Sequence, residues 1–288
     1  MKRKISLLLI CLSLVACGAP ITKSEHHITV TIAPLSWVVS GLTGGQVDVS
    51  VIVPPGTSPE TYEPTARQSE DLSRSDLIFS IGLVDIERQL EGRLREMTGS
   101  GNSVFVRLAD SLSGALAESV CADHHHHDAP DPHVWLSPSM MREMTIRAAN
   151  YLIAQSIDQP ERIVARRDSL CAVIDSVDHV IRQNLSSVLS RAFAIVHPSL
   201  GYFARDYGLT QLSIEVQGKE PTGRRIRDLV DTLRAKGVQT IIYSAQDPST
   251  AARVIATEIG AQVVSFDPMA VDWAANMVKI SEIVCQVN

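Results

Sequence analysis

Residues 160–191 read PERIVARRDSLCAVIDSVDHVIRQNLSSVLSR, and this stretch decides how the rest of the chain is organised. It holds no Gly and, after Pro160, no Pro, so nothing in it interrupts a helix. Apolar residues recur at Ile163, Leu170, Val173, Ile174, Val177, Val180, Ile181, Leu185 and Val188, which lays one stripe along a helix. Some 30 residues at roughly 1.5 Å each would make a rod of about 45 Å. A coiled-coil segment could carry the same period. A single stripe between two α/β units fits a packed connecting helix better.

The units on either side share one grammar. Upstream, the β-rich runs 28–32, 47–53, 77–81 and 104–108 alternate with helix-like stretches at 36–42, 65–74 and 85–97. Downstream, strand-like runs at 192–196, 210–216, 240–244 and 262–266 enclose helical stretches at 224–236 and 249–259. Strands alternating with helices imply crossover connections and a mostly parallel sheet. The expected fold class is α/β, with two lobes joined by one long backbone helix. Its boundaries are an N-terminal lobe over 28–158, the connecting helix over 159–191 and a C-terminal lobe over 192–288.

The first residues are set apart from this fold. Lys2, Arg3 and Lys4 form a positive segment, and the apolar run from Ile5 to Ala16 is too short to span a membrane, which needs about 20 residues. It suits the core of a signal peptide over residues 1–16. Leu14-Val15-Ala16-Cys17 resembles the lipobox of bacterial lipoproteins, which implies cleavage before Cys17 and a lipid on its thiol. Residues 17–27 would then be a tether, placing the protein in the cell envelope, facing periplasm or exterior.

Composition excludes some partners. The balance of 26 basic and 32 acidic residues gives −6, and losing three positive charges with the signal makes it −9. An acidic body without a Lys/Arg cluster argues against nucleic acid. Cys121, Cys171 and Cys285 would remain after Cys11 and Cys17 are set aside, with no Cys-x-x-Cys pair among them. Three thiols permit one disulfide, for which Cys171 with Cys285 is one arrangement. No thiolate metal site is indicated.

Four polar residues stand where the chain changes direction, and in open α/β sheets ligands bind beyond the carboxyl ends of strands. Glu60 follows a strand in Pro54-Pro55-Gly56-Thr57-Ser58-Pro59-Glu60-Thr61-Tyr62-Glu63-Pro64, although it could instead cap the next helix. His133 lies in Asp131-Pro132-His133-Val134-Trp135-Leu136-Ser137-Pro138. His197 and Asp267 each end an apolar strand and each precede proline, which restricts their backbones to extended forms. Singly, each has an ordinary structural reading. Together they form a mixed nitrogen and oxygen set that suits zinc, with manganese or iron as alternatives.

These motifs resemble the cluster A-I solute-binding proteins of ABC transporters, the zinc and manganese receptors. The similarity runs over essentially the whole mature chain: Pro-Pro-Gly-x-Ser-Pro-x-x-Tyr-Glu-Pro, His-x-Trp-Leu-Ser-Pro, the central helix, His-Pro-Ser-x-x-Tyr-Phe and the late Asp-Pro. The resemblance implies that Glu60, His133, His197 and Asp267 are metal ligands, two per lobe, and that the long helix spans both lobes. It also implies a monomer, with a cognate permease and ATPase as partners. Glu60 departs from the family's usual His, which makes the site more oxygen-rich and moves it toward harder ions. His197 at the third position is the zinc-type choice, so Zn2+ is expected ahead of Mn2+.

His124, His125, His126 and His127, flanked by Asp123 and Asp128, read as a loop that could form a secondary zinc site or a plain solvated insertion. Residues 218–222 read as a helix start, and Trp135 and Tyr202 as apolar cover around the ligands. A zinc hydrolase would need three protein ligands, a bound water and a base. The chain has neither His-Glu-x-x-His nor Gly-x-Ser-x-Gly, so no enzyme is expected. A metal-binding adhesin is a further role that the sequence leaves open.

Overall fold

The computed structural model describes residues 26–98, 103–112, 130–188, 191–215, 221, 223–246 and 249–286. The signal segment, Cys17, Cys121, the His124 to His127 tract and most of 218–222 lie outside the described residues.

Two parallel four-stranded sheets form the body of the chain. The first takes β1 (His27–Ile32), β2 (Asp48–Val53), β3 (Leu77–Ser80) and β4 (Val104–Arg107) in the order β2-β1-β3-β4. The second takes β5 (Ala192–Ile195), β6 (Thr210–Ser213), β7 (Thr240–Ser244) and β8 (Gln262–Phe266) in the equivalent order β6-β5-β7-β8. In each sheet the chain reverses direction beside the first strand, so a crevice opens at its carboxyl end. Helices cover both sheets, and strands such as β3 are buried on both faces, as parallel sheets require. β1 begins at His27, one residue inside the expected tether.

The first helices are α1 (Ala33–Thr43), α2 (Ala66–Leu72), α3 (Asp85–Thr98) and α4 (Pro138–Ala154). The long helix is α5 (Pro160–Asn184), followed by α6 (Gly201–Asp206), α7 (Gly223–Ala235), α8 (Thr250–Ile259) and α9 (Trp273–Gln286). α5 starts with Pro in its first turn, has Glu161 there and Arg182 in its last turn, the charge order that the helix dipole favours. Its buried stripe is Ile163, Cys171, Ile174, Val177 and Ile181. This stripe packs against α1 and α4 beside the first sheet and α9 beside the second.

Two expectations for this segment need correction. The helix stops at Asn184 instead of running to 191, because Leu185–Ser187 tightens into a 3-10 turn that still buries Leu185 and Val188. Its 25 residues make a rod of about 37 Å. Val173, expected on the stripe, is 44% exposed. Cys171 and Cys285 are free thiols, so their pairing is not formed.

Close packing of α5 also explains one glycine. Gly44 ends α1 with φ +63, and a Cβ there would sit 2.8 Å from the guanidinium of Arg166 on α5. Both the left-handed backbone and the approach of Arg166 demand glycine.

The two sheets are joined by more than this rod. The Trp135 indole donates to the carbonyl of Pro268 (2.8 Å), and the Trp273 indole donates to the carbonyl of Trp135 (2.7 Å). Both rings are fully buried. A buried Trp removes about 150–250 Å² from water, or about 4–6 kcal/mol at about 25 cal/mol per Å², before ordering costs. Ser137 caps α4 by accepting from Met140 N–H, and its hydroxyl donates to Asp206 at 2.5 Å. One apolar cluster runs from the first sheet through α5 to α9, while a second, smaller one lies between the second sheet, α7 and α8. Among the described residues, no helix is long and apolar enough to cross a membrane.

Candidate metal centre

Glu60 is carried by the loop after β2. Gln68 on α2 fixes that loop by donating to Ile52 O (2.8 Å) and accepting from Tyr62 Oη (2.8 Å). Thr65 and Gln68 form a capping box for α2, so the helix is capped by Thr65 and Glu60 is left for other work.

His133 stands at the start of the 3-10 turn Val134–Leu136, just before α4. Asp131 holds it twice, by accepting from its backbone N–H (2.9 Å) and contacting Nδ1 at 2.7 Å. Tyr202 in turn donates to the Asp131 carbonyl at 3.0 Å. A Cβ on Gly201 would lie 3.0 Å from Asp131 Oδ2, so the small residue makes room for this carboxylate.

His197 follows β5, and its Nδ1 lies 3.2 Å from Glu215 Oε2. Glu215 is set beside it by the end of β6, where its N–H donates to Val196 O at 3.1 Å. Each imidazole therefore has a carboxylate on Nδ1. That arrangement favours the Nδ1–H tautomer and directs the Nε2 lone pair outward, the form that ligates metals.

The two Nε2 atoms meet at Glu60. Oε1 of Glu60 lies 3.2 Å from His197 Nε2 and 3.5 Å from His133 Nε2, and the three donor atoms all lie within 4.8 Å of one another. Donors bound to one tetrahedral zinc at about 2.0–2.1 Å stand roughly 3.3 Å apart. The two distances from Glu60 already match that spacing. The imidazole rings are 5.2 Å apart at 68°, and the Trp135 ring lies 5.1 Å from His133. Trp135 and Tyr202 are buried, as expected of apolar cover.

Charge matches geometry. Burial alone would lower the His197 pKa, but hydrogen bonds to Glu215 and Glu60, with their charges, hold it up at about 10. Burial opposes ionisation of Glu60, yet the hydrogen bond from His197 and the charges of both histidines pull its pKa below the usual value. A cation at Nε2 of His197 would therefore have to displace a proton.

Asp267 sits apart from the trio. Its Oδ1 accepts from Gln246 Nε2 (2.5 Å) and from Met269 N–H (2.9 Å), and among the described residues it is not in the three-donor cluster. The structure thus gathers Glu60, His133 and His197 and leaves Asp267 tied to its own lobe. Sequence reasoning gave no role to Glu215 or Asp131. The signal for Glu215 was a lone acid at the end of an apolar strand run, beside the strand that carries His197.

The family model for the periplasmic component A of the zinc-uptake complex, ZnuA, matches residues 28–281. This chain belongs to that family. Among its ZnuA-like relatives, the high-affinity zinc uptake system protein ZnuA of Bacillus subtilis is 26% identical over 88% of this chain and 83% of the relative. The zinc-binding protein AdcA of Streptococcus pyogenes serotype M3 is 24% identical over 93% of this chain, which spans only 56% of AdcA. A crystal structure of ZnuA superposes with a TM-score of 0.81 at 29% identity, covering 91% of this chain and 98% of that one. The periplasmic zinc binding protein TroA from Treponema pallidum, at 17% identity and a TM-score of 0.78 over 91% of this chain and 98% of its own, shows the shared fold.

Proposed function

We propose that this protein is the extracytoplasmic receptor of an ABC importer, capturing Zn2+ with Glu60, His133, His197 and Asp267 and passing it to the permease. The observation that carries this reading is the convergence of Glu60 Oε1 and the two Nε2 atoms, with Glu60 at tetrahedral donor spacing from each imidazole and all three donors within 4.8 Å. Zinc enters here as cargo. Asp267 would supply the fourth donor from the second sheet, and Cys17 would hold the lipid that anchors the receptor at the membrane.

The carboxylates around the site support transport over hydrolysis. Asp131 and Glu215 are engaged on Nδ1 of the histidines, and Glu60 faces both Nε2 atoms. A hydrolase needs a carboxylate or imidazole free to act as base. Two imidazoles favour zinc over manganese in the Irving–Williams order.

Competitive metal titration of the signal-free protein tests the proposal, with and without residues 123–128. The expected result is one ion per chain in the cleft after tract removal, with zinc preferred to manganese. Zinc affinity should fall by orders of magnitude when His133 and His197 are both changed to Ala. Unchanged affinity in that double variant would overturn the proposal.

A further inference from the structure

We propose that Gln246 sets the metal preference of the site by positioning Asp267, so that this carboxylate binds through one oxygen only. The inference rests on the reading above that Asp267 is the fourth ligand.

Asp267 Oδ1 already takes two hydrogen bonds, from Gln246 Nε2 at 2.5 Å and from Met269 N–H at 2.9 Å. Among the described residues Oδ2 has no hydrogen-bond partner. Gln246 is itself fixed. The Asp267 carboxylate can only accept, so Nε2 faces it, and Oε1 on the other side accepts from the Ser244 hydroxyl. The backbone of Asp267 is held as well, by Asn276 Nδ2 donating to its carbonyl at 2.8 Å. Hydrogen bonds therefore occupy one carboxylate oxygen and leave the other to meet a cation.

That asymmetry bears on which ion is accepted. One oxygen from Asp267, one from Glu60 and two imidazole nitrogens make four donors, the number that zinc takes in a tetrahedral site. Manganese favours more oxygen donors in an octahedral arrangement, and a carboxylate free to rotate could offer both of its oxygens. Gln246 withholds the extra donor. It is a positioning residue, acting on the ion through Asp267.

The test compares Gln246→Met, which keeps length and removes the amide, with Ser244→Ala, which frees the amide without removing it. Zinc and manganese affinities are measured by chelator competition, and the Co2+-loaded proteins are followed by visible absorption. In Gln246→Met the zinc-to-manganese affinity ratio should fall at least tenfold, and the intense tetrahedral Co2+ bands should weaken. Ser244→Ala should shift both in the same direction by a smaller amount, and it carries the test if Gln246→Met fails to fold.

A ratio and a Co2+ spectrum unchanged in both variants, with Asp267→Ala losing zinc affinity, would overturn the role of Gln246 and leave the ligand reading intact. Wild-type zinc affinity in Asp267→Ala would overturn both.

Discussion

Replacing Glu215 by Gln keeps an acceptor for His197 Nδ1–H and removes the charge 3.2 Å away. Glu215 and Glu60 together hold the His197 pKa at about 10 against burial. Losing one opposite charge at this range lowers such a pKa by about 1–3 units, so a value near 8 is expected. With that pKa the wild-type imidazole would be almost wholly protonated at pH 8, and zinc bound there as proposed above would expel about one proton from it. In the variant only about half a proton should leave.

Affinity responds in two opposing ways. Removing proton competition strengthens binding at neutral pH, while a less basic imidazole weakens it by about 10–100-fold. The terms roughly cancel near pH 7, and the loss emerges as pH rises. Calorimetry in buffers of different ionisation enthalpy counts the protons, and chelator competition from pH 6 to 8.5 gives the affinity. Equal proton release at pH 8, with parallel pH dependence in the two proteins, would refute the role assigned to Glu215.

Without metal, His197 also contributes to folding stability with a definite sign. Its folded pKa of about 10 lies above the ordinary 6.5, so its contribution is full below pH 6.5 and is lost as pH rises through 10. Urea unfolding of chelator-treated protein should show the largest difference between wild type and His197→Gln below pH 6.5, with the gap closing by pH 10; a gap that widened with pH would contradict this. Trp135→Phe keeps the buried ring but removes the donor to Pro268 O, at a cost of about 1–3 kcal/mol. Its urea midpoint should fall accordingly, and an unchanged midpoint would show that the indole N–H carries no net stability.

The alternation of β-rich runs with helices was legible because each crossover leaves a short buried strand such as Leu77–Ser80 between helical segments. Strand order was not, since nothing local distinguishes β1 beside β3 from other pairings. α4 and α9 escaped notice because their buried faces rest on residues such as Met140, Met141, Met144, Ala148 and Met277, amid residues of weak contrast. The end of α5 was misjudged for a physical reason. Leu185 and Val188 keep the helical phase and stay buried although the chain has tightened into a 3-10 turn.

At the site, His197 was readable from a strand end before proline, and His133 from the stretch Asp131 to Pro138. Their carboxylate partners were not, because Glu215 reaches Nδ1 only through tertiary placement and nothing local marks Asp131 as a partner. Asp131 is close in sequence to its His, yet its setting depends on Tyr202 and Gly201, far along the chain. The bond from Gln246 to Asp267 spans two neighbouring strand ends, so it too waits on the fold.

The division of the apolar interior into two clusters gives the molecule an uneven cohesion. α7 and α8 rest on the smaller cluster, whereas α5, α9 and the first sheet share the larger one. Segments with fewer shared apolar contacts form the units that open locally at least cost. By that rule this outer layer would loosen ahead of the clasp of Trp135 and Trp273. It borders β7, whose end carries Ser244 and leads directly into Gln246. A partner pressing on that layer would reach Gln246, and through it Asp267, without separating the lobes.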